Sequence, residues 1–184
     1  RLQTCPRLSA MNSKFTNLIN LVIFQVAWFC CVLAPLSPFP KTLPFLGLTL
    51  CLVRSVYSEG LFLLLPFMVG SLLMGLVGDA CLVHFGFLTF TEYPTLLGVP
   101  YWMLILWLNF GLMLRPLFTW FLNQRWRCLI GFSIGGALAY FSGQKLGVLT
   151  FPQGWSSAFA VACEWTLAGF LIRYLHLTFS NKTD

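Results

Sequence analysis

Apolar residues in this chain come in long unbroken runs separated by short polar breaks. They do not alternate with polar residues as barrel strands would. A helix that crosses a bilayer needs about 20 mostly apolar residues. Five runs meet that length: Thr16–Leu36, Leu61–Phe85, Val99–Leu122, Cys128–Leu149 and Ser156–Leu177. A sixth, Leu43–Tyr57, is short and crosses only if Lys41 and Arg54 extend their charged ends outward. Pro44 is tolerated in its first turn. The pattern predicts an all-α fold, a polytopic membrane helix bundle of six transmembrane helices, with five as the alternative.

The bundle is expected to occupy residues 15–178 as one domain, with a short cytoplasmic tail at 179–184. Residues 1–14 read as a disordered or mis-annotated tail. "RLQTCPRLSA" has no periodicity and Met11 follows it directly, so residues 1–10 look like an overhang before the true start. No A-x-A cleavage site follows the first apolar run before the prolines, which favours an uncleaved first helix over a signal peptide.

Composition sharpens the picture. Residues are 58% hydrophobic and only 9% charged, with a mean hydropathy of +0.82, too few charges to cover a soluble surface. The net charge of +6 is read as topology charge facing anionic lipid, since no basic stripe lies on a polar domain. Nucleic-acid binding is therefore not expected. With six spans and the N-terminus inside, the cytoplasmic side holds Lys14, Arg54, Arg125, Arg127, Arg173 and Lys182, and the other side only Lys41 and Lys145. Five spans with the N-terminus outside give the same balance, and both place the C-terminus in the cytoplasm. Trp102 and Trp155 are expected at the outer interface, Trp120 and Trp126 at the inner one. The seven cysteines are odd in number, lie mostly in apolar runs and show no C-x-x-C spacing, so packing is favoured over disulfides or metal. His84 and His176 lie far apart near helix ends, where interfacial placement is expected.

Candidate chemistry is confined to a few buried polar residues. Asp79 shares a helix face with Ser71 and Gly75, and small residues let a neighbouring helix approach closely. A carboxylate facing lipid would cost about 2.5–3.5 kcal/mol, so Asp79 is expected to point inward. Glu164 has a similar setting between Ala160 and Ala168. Gly131, Gly135, Ala139, Gly143 and Gly147 form a small-residue stripe, expected to seat the helix that carries Asp79. Helix rise puts Asp79 roughly 27 Å from Leu61, Glu164 roughly 12 Å from Ser156 and Tyr140 roughly 18 Å from Cys128, in overlapping outer-half layers. Asp79, Glu164, Tyr140, Gln144 and Gln25 are therefore candidates for a polar pocket, with Trp28, Trp102 and Trp107 as aromatic lining. Gly75, Gly131, Gly135, Gly143 and Gly147 are candidates for helix packing. The two carboxyls are expected either to pair with Lys145 or Arg115 or to be neutral; Arg115, on the inner side of its helix, is also placed to extend to the inner surface.

The stretches "FQVAWFCCVL", "GLVGDACLVHFGFL", "PYWMLILWLNFGLML" and "GGALAYFSGQKLGVL", in this order and spacing, resemble a bacterial inner-membrane family catalogued as domain of unknown function 2878. The resemblance runs from about Phe15 to Leu177. Its matching positions are Gln25, Trp28, Asp79, Pro100, Trp102, Trp107, Gly135, Gly136, Tyr140, Gly143, Leu146, Gly147 and Trp165. Ala137 and Arg115–Pro116 depart from the family pattern. The resemblance implies a compact multi-span protein without assigned chemistry, placed by gene context near enzymes of fatty-acid modification.

Three functions compete. The favoured one is a non-catalytic partner or lipid-binding component of envelope lipid metabolism, in contact with membrane lipids and with a lipid-modifying enzyme as a possible partner. A small transporter or flippase is the alternative, weakened by the lack of a clear inverted repeat. An intramembrane enzyme comes last, because no H-E-x-x-H, G-x-S-x-G or ligand-spaced Cys/His cluster occurs. No cofactor and no metal is expected, and the sequence leaves the oligomeric state open.

Overall fold

The structure, a computed structural model, describes residues 6–180, with side chains over 14–179. Six α-helices make up most of it: α1 Pro6–Val32, α2 Leu43–Glu59, α3 Leu61–His84, α4 Tyr101–Leu122, α5 Arg125–Lys145 and α6 Trp155–Ser180. Each predicted run overlaps one α-helix, and α1, α2, α5 and α6 extend beyond theirs. Of the tail expected over 1–14, residues 1–5 lie outside the described residues, and from Pro6 the backbone is already helical. Residues 181–184 of the expected C-terminal tail also lie outside them.

Four helices are long and apolar enough to cross a membrane: Lys14–Val32 within α1, α3, α4, and Trp155–Phe179 within α6. At 17 residues, α2 falls short, about 25 Å at helical rise. The length of α5 suffices, but its glycines and terminal Arg125, Arg127, Gln144 and Lys145 dilute its hydropathy. Large apolar side chains are exposed along whole helix faces, such as Phe15, Leu18, Val22, Val26 and Phe29 on α1. A surface this apolar suits acyl chains rather than water.

The centre of the bundle is α4, whose buried residues run from Trp102 to Leu122. It packs against α1, α2 and α3, whereas α6 packs against α3 and α5. Helix α5 leans on α6 and touches α4 only lightly, although two residues separate them in sequence.

Three connections meet at one end of the bundle. After α3 the chain forms β1 (Thr89–Phe90), β2 (Thr95–Leu96) and β3 (Val99–Pro100), and after α5 it forms β4 (Leu149–Thr150). β1 pairs antiparallel with β4 in the register Thr89↔Thr150, and β2 pairs with β3 as Thr95↔Pro100. The Tyr93 hydroxyl donates to the Pro40 carbonyl at 2.6 Å, which ties the α1–α2 connection to the same end. The all-α expectation did not include this small strand cap. Nor did the expected aromatic belt place Trp102 correctly. It is fully buried beneath the cap, edge-on to Phe90, while Trp155, Trp120 and Trp126 are exposed as a belt requires.

The opposite end is held by polar contacts. Gly60, at φ +81°, makes the one-residue turn between α2 and α3, a conformation L side chains rarely adopt. Glu59, just before it, accepts a hydrogen bond from Arg115 Nε at 3.0 Å, so Arg115 neither extends to the surface unpaired nor reaches Asp79 or Glu164. Arg173 donates to the Leu122 carbonyl, and His176 and Asn123 hydrogen-bond at 2.9 Å. His176 is thus buried rather than interfacial. Asn20 Nδ2 donates to the Pro116 carbonyl at 2.9 Å and joins α1 to α4.

The Arg115–Glu59 pair is partly shielded, with side chains 15% and 25% exposed. Glu59→Gln should therefore lower unfolding stability in detergent by about 1–2 kcal/mol, less than for a sealed pair. A melting temperature equal to wild type would show that the pair contributes nothing.

Candidate functional site

Asp79 lies on the buried face of α3 with Ser71 and Gly75, as their four-residue spacing predicts. Its side chain is fully buried, and each oxygen has its own donor. The Tyr140 hydroxyl of α5 donates to Oδ1 at 2.6 Å, and the Trp107 indole of α4 donates Nε1–H to Oδ2 at 2.9 Å. The first distance is typical of O–H···O⁻ contacts. One carboxyl thus joins three helices.

Gly75 and Gly78 make the room. A Cβ built on Gly75 would fall within the Trp107 indole, and one on Gly78 within the Glu164 carboxyl. Glu164 approaches from α6 against Gly78, beside Asp79. It is 6% exposed, and neither oxygen has a hydrogen-bond partner. Trp165, next to it, stacks on Trp107 at 4.5 Å with the rings 23° apart. Asp79, Glu164, Tyr140 and Trp107 therefore form one cluster between α3, α4, α5 and α6.

A cleft of about 790 Å³ lies in front of this cluster, between α1, α4 and α5. Phe24, Gln25 and Trp28 form its α1 wall, Trp102, Trp107 and Phe110 its α4 wall. Gly131, Gly135, Ala139 and Gly143 form the α5 wall with Tyr140, and Trp165 also reaches the cleft. The carboxylates do not line it. Trp107, Tyr140 and Trp165 stand between them and the cleft, so the expected polar pocket is an apolar, aromatic cleft backed by acids.

The other candidates divide. Trp28, Trp102 and Trp107 all line the cleft. Gln25 is exposed on its α1 wall, and Gln144 is half-buried away from it. The small-residue stripe does not seat α3. A Cβ on Gly131 would meet the Phe121 ring, and one on Gly143 would meet Leu149 of the strand cap. Gly135 has open space in front of it, because its face borders the cleft. Gly147, at φ +78°, ends α5 in a turn instead of packing a helix. Lys145 lies on the cleft rim, 5.2 Å from the Phe141 ring centroid. Sequence reasoning missed the hydrogen bond from Trp107 and the place of Trp165. The signal available was spacing. Trp107 lies six residues into α4 and Asp79 five residues before the end of antiparallel α3, which puts them at one depth.

Among the described residues, no group of three or more His, Cys, Asp or Glu side chains is placed to hold a metal ion. The described cysteines are all free.

Apolar helices of spanning length, an apolar outer surface and a buried acid cluster together define a multi-pass helical membrane protein. The chain belongs to the family described as Protein of unknown function (DUF2878), whose model matches residues 17–171. No curated protein and no solved structure matches it.

Tyr140→Phe removes the donor to Asp79 Oδ1 and should cost about 1–3 kcal/mol in detergent unfolding. Gly75→Ala should destabilise by a similar amount, since the Trp107 ring must shift, while Gly135→Ala should change nothing measurable. Equal melting temperatures for the two glycine variants would contradict the close contact of Trp107 with Gly75.

Proposed function

We propose that this protein is a non-catalytic lipid-binding component of the bacterial inner membrane, that its cleft holds an acyl chain, and that it works beside an enzyme of envelope lipid metabolism. The observation that carries this reading is the cleft itself. It is aromatic and aliphatic, it holds about 790 Å³, and part of its wall is exposed on the lipid-facing side at Phe29, Leu138 and Phe141. Sites of this volume and lining suit apolar ligands. The rim carries Lys145, which suits an anionic lipid headgroup at the membrane surface.

In this reading all six helices cross the membrane, with α2 as a short span and the C-terminus in the cytoplasm. The gathering of the α1–α2, α3–α4 and α5–α6 connections at one end supports six crossings. That end carries Lys41 and Lys145, whereas Arg54, Arg125, Arg127 and Arg173 lie toward the other, which favours placing the strand cap outside.

Gly135 supplies the test, because a side chain there meets open space and enters the cleft without a clash. Wild type and Gly135→Leu would be purified in mild detergent, and co-purifying lipid quantified by mass spectrometry. Gly135→Leu should retain several-fold less lipid per protein at an unchanged melting temperature. Equal retention by both, or no bound lipid on wild type, would sink the proposal.

A further inference from the structure

The two buried carboxyls are unequal in a way that neither helix packing nor lipid binding requires. Asp79 has a donor on each oxygen, the Tyr140 hydroxyl and the Trp107 indole N–H. Glu164 is sealed from solvent on both oxygens and has no donor at all. Two donors on one carboxyl stabilise its ionised form. A carboxylate with no donor, sealed in the bundle beside another, is strongly disfavoured, and adjacent acids resolve such a conflict by sharing a proton.

The charged and titratable groups around Glu164 offer no other solution. Helix α3 presents Asp79 and Cys81, α5 presents Tyr140, and Cys163 is its neighbour on α6. Arg115 is committed to Glu59 at the other end of the bundle, and Lys145 sits over Phe141 on the cleft rim. Among the described residues, the one ion pair is Arg115–Glu59.

We propose that Asp79 and Glu164 form an intramembrane proton-binding site that holds a single exchangeable proton, carried by Glu164. A hydronium ion from the aqueous side gives its proton to the Glu164 carboxylate, leaving water and a neutral carboxylic acid. Asp79 stays ionised between Tyr140 and Trp107. Those two side chains are also cleft walls, so the site shares its fixed donors with the cleft. The proton site does not depend on what fills the cleft.

Infrared spectroscopy of the full chain in lipid bilayers reads the proton directly. Wild type at neutral pH should show one carboxylic-acid C=O stretch above the amide I band, and transfer to D2O should shift it downward. Glu164→Gln should abolish the band, and Asp79→Asn should keep it. Absence of the band in wild type would overturn the proposal. So would its loss in Asp79→Asn with retention in Glu164→Gln, or a band indifferent to D2O. Should Glu164→Gln fail to fold, wild type alone decides through a hydrophobic carbodiimide and peptide mass spectrometry. The reagent adds across a protonated carboxyl: the acid proton moves to a reagent nitrogen, a carboxyl oxygen bonds to its central carbon, and nothing leaves. The adduct should fall on Glu164. An adduct on Asp79 alone, or none on either, would overturn the assignment.

Discussion

The bundle depends on one carboxyl group, that of Asp79. Inside a bilayer, lipid tails are as apolar as leucine, so burying apolar side chains does little to draw helices together. Close packing and polar contacts must do it instead. Asp79 accepts hydrogen bonds from α4 and α5 at once, and those two helices pack little against each other directly. Without that bridge, α5 would be held by α6, by the strand cap and by the rings of Phe110 and Phe121 against Phe132. A sealed carboxyl is costly when its oxygens lack partners, so the donors on Tyr140 and Trp107 set the separation of three helices.

Two glycines make the bridge possible. Trp107 reaches Asp79 only because Gly75, one turn below, has no side chain in its way. Gly78 does the same for the Glu164 carboxyl on the neighbouring flank of α3. The same helix thus admits an indole on one side and a second acid on the other. Removing the indole's space would cost more than packing, because the displaced ring also takes a donor from Asp79.

How much of this the sequence disclosed follows from what each signal measures. Runs of Leu, Phe and Val located every helix, since length and apolarity are properties of single segments. The inward face of α3 was legible from Ser71, Gly75 and Asp79, and matching depths brought Asp79, Tyr140 and Glu164 together. The partner of the α5 stripe was not legible. Small residues mark a smooth face, but the same face can meet a helix or border a void, and at Gly135 it borders a void. Arg115 shows the same limit: its partner Glu59 lies 56 residues away in sequence, next to a glycine turn that no periodicity marks. Gln144 was misplaced because it lies one turn beyond Tyr140, in the last turn of α5, past the level at which Tyr140 meets Asp79.

The cleft and the acids are two sides of one wall. Because α5 meets α4 through Asp79 and an aromatic layer, a gap remains on the α1 side, floored by Trp107, Phe110, Phe132 and Trp165. Phe110 lies 5.2 Å from Trp165 and 5.5 Å from Phe132, so these rings form one interlocked sheet of edges and faces. A floor built of bulky rings resists collapse, since closing the gap would require several rings to move together. Tyr140 and Trp107 cannot turn away from the acids without giving up their hydrogen bonds in an environment that offers no water to replace them. The polar side of the wall therefore fixes the shape of its apolar side.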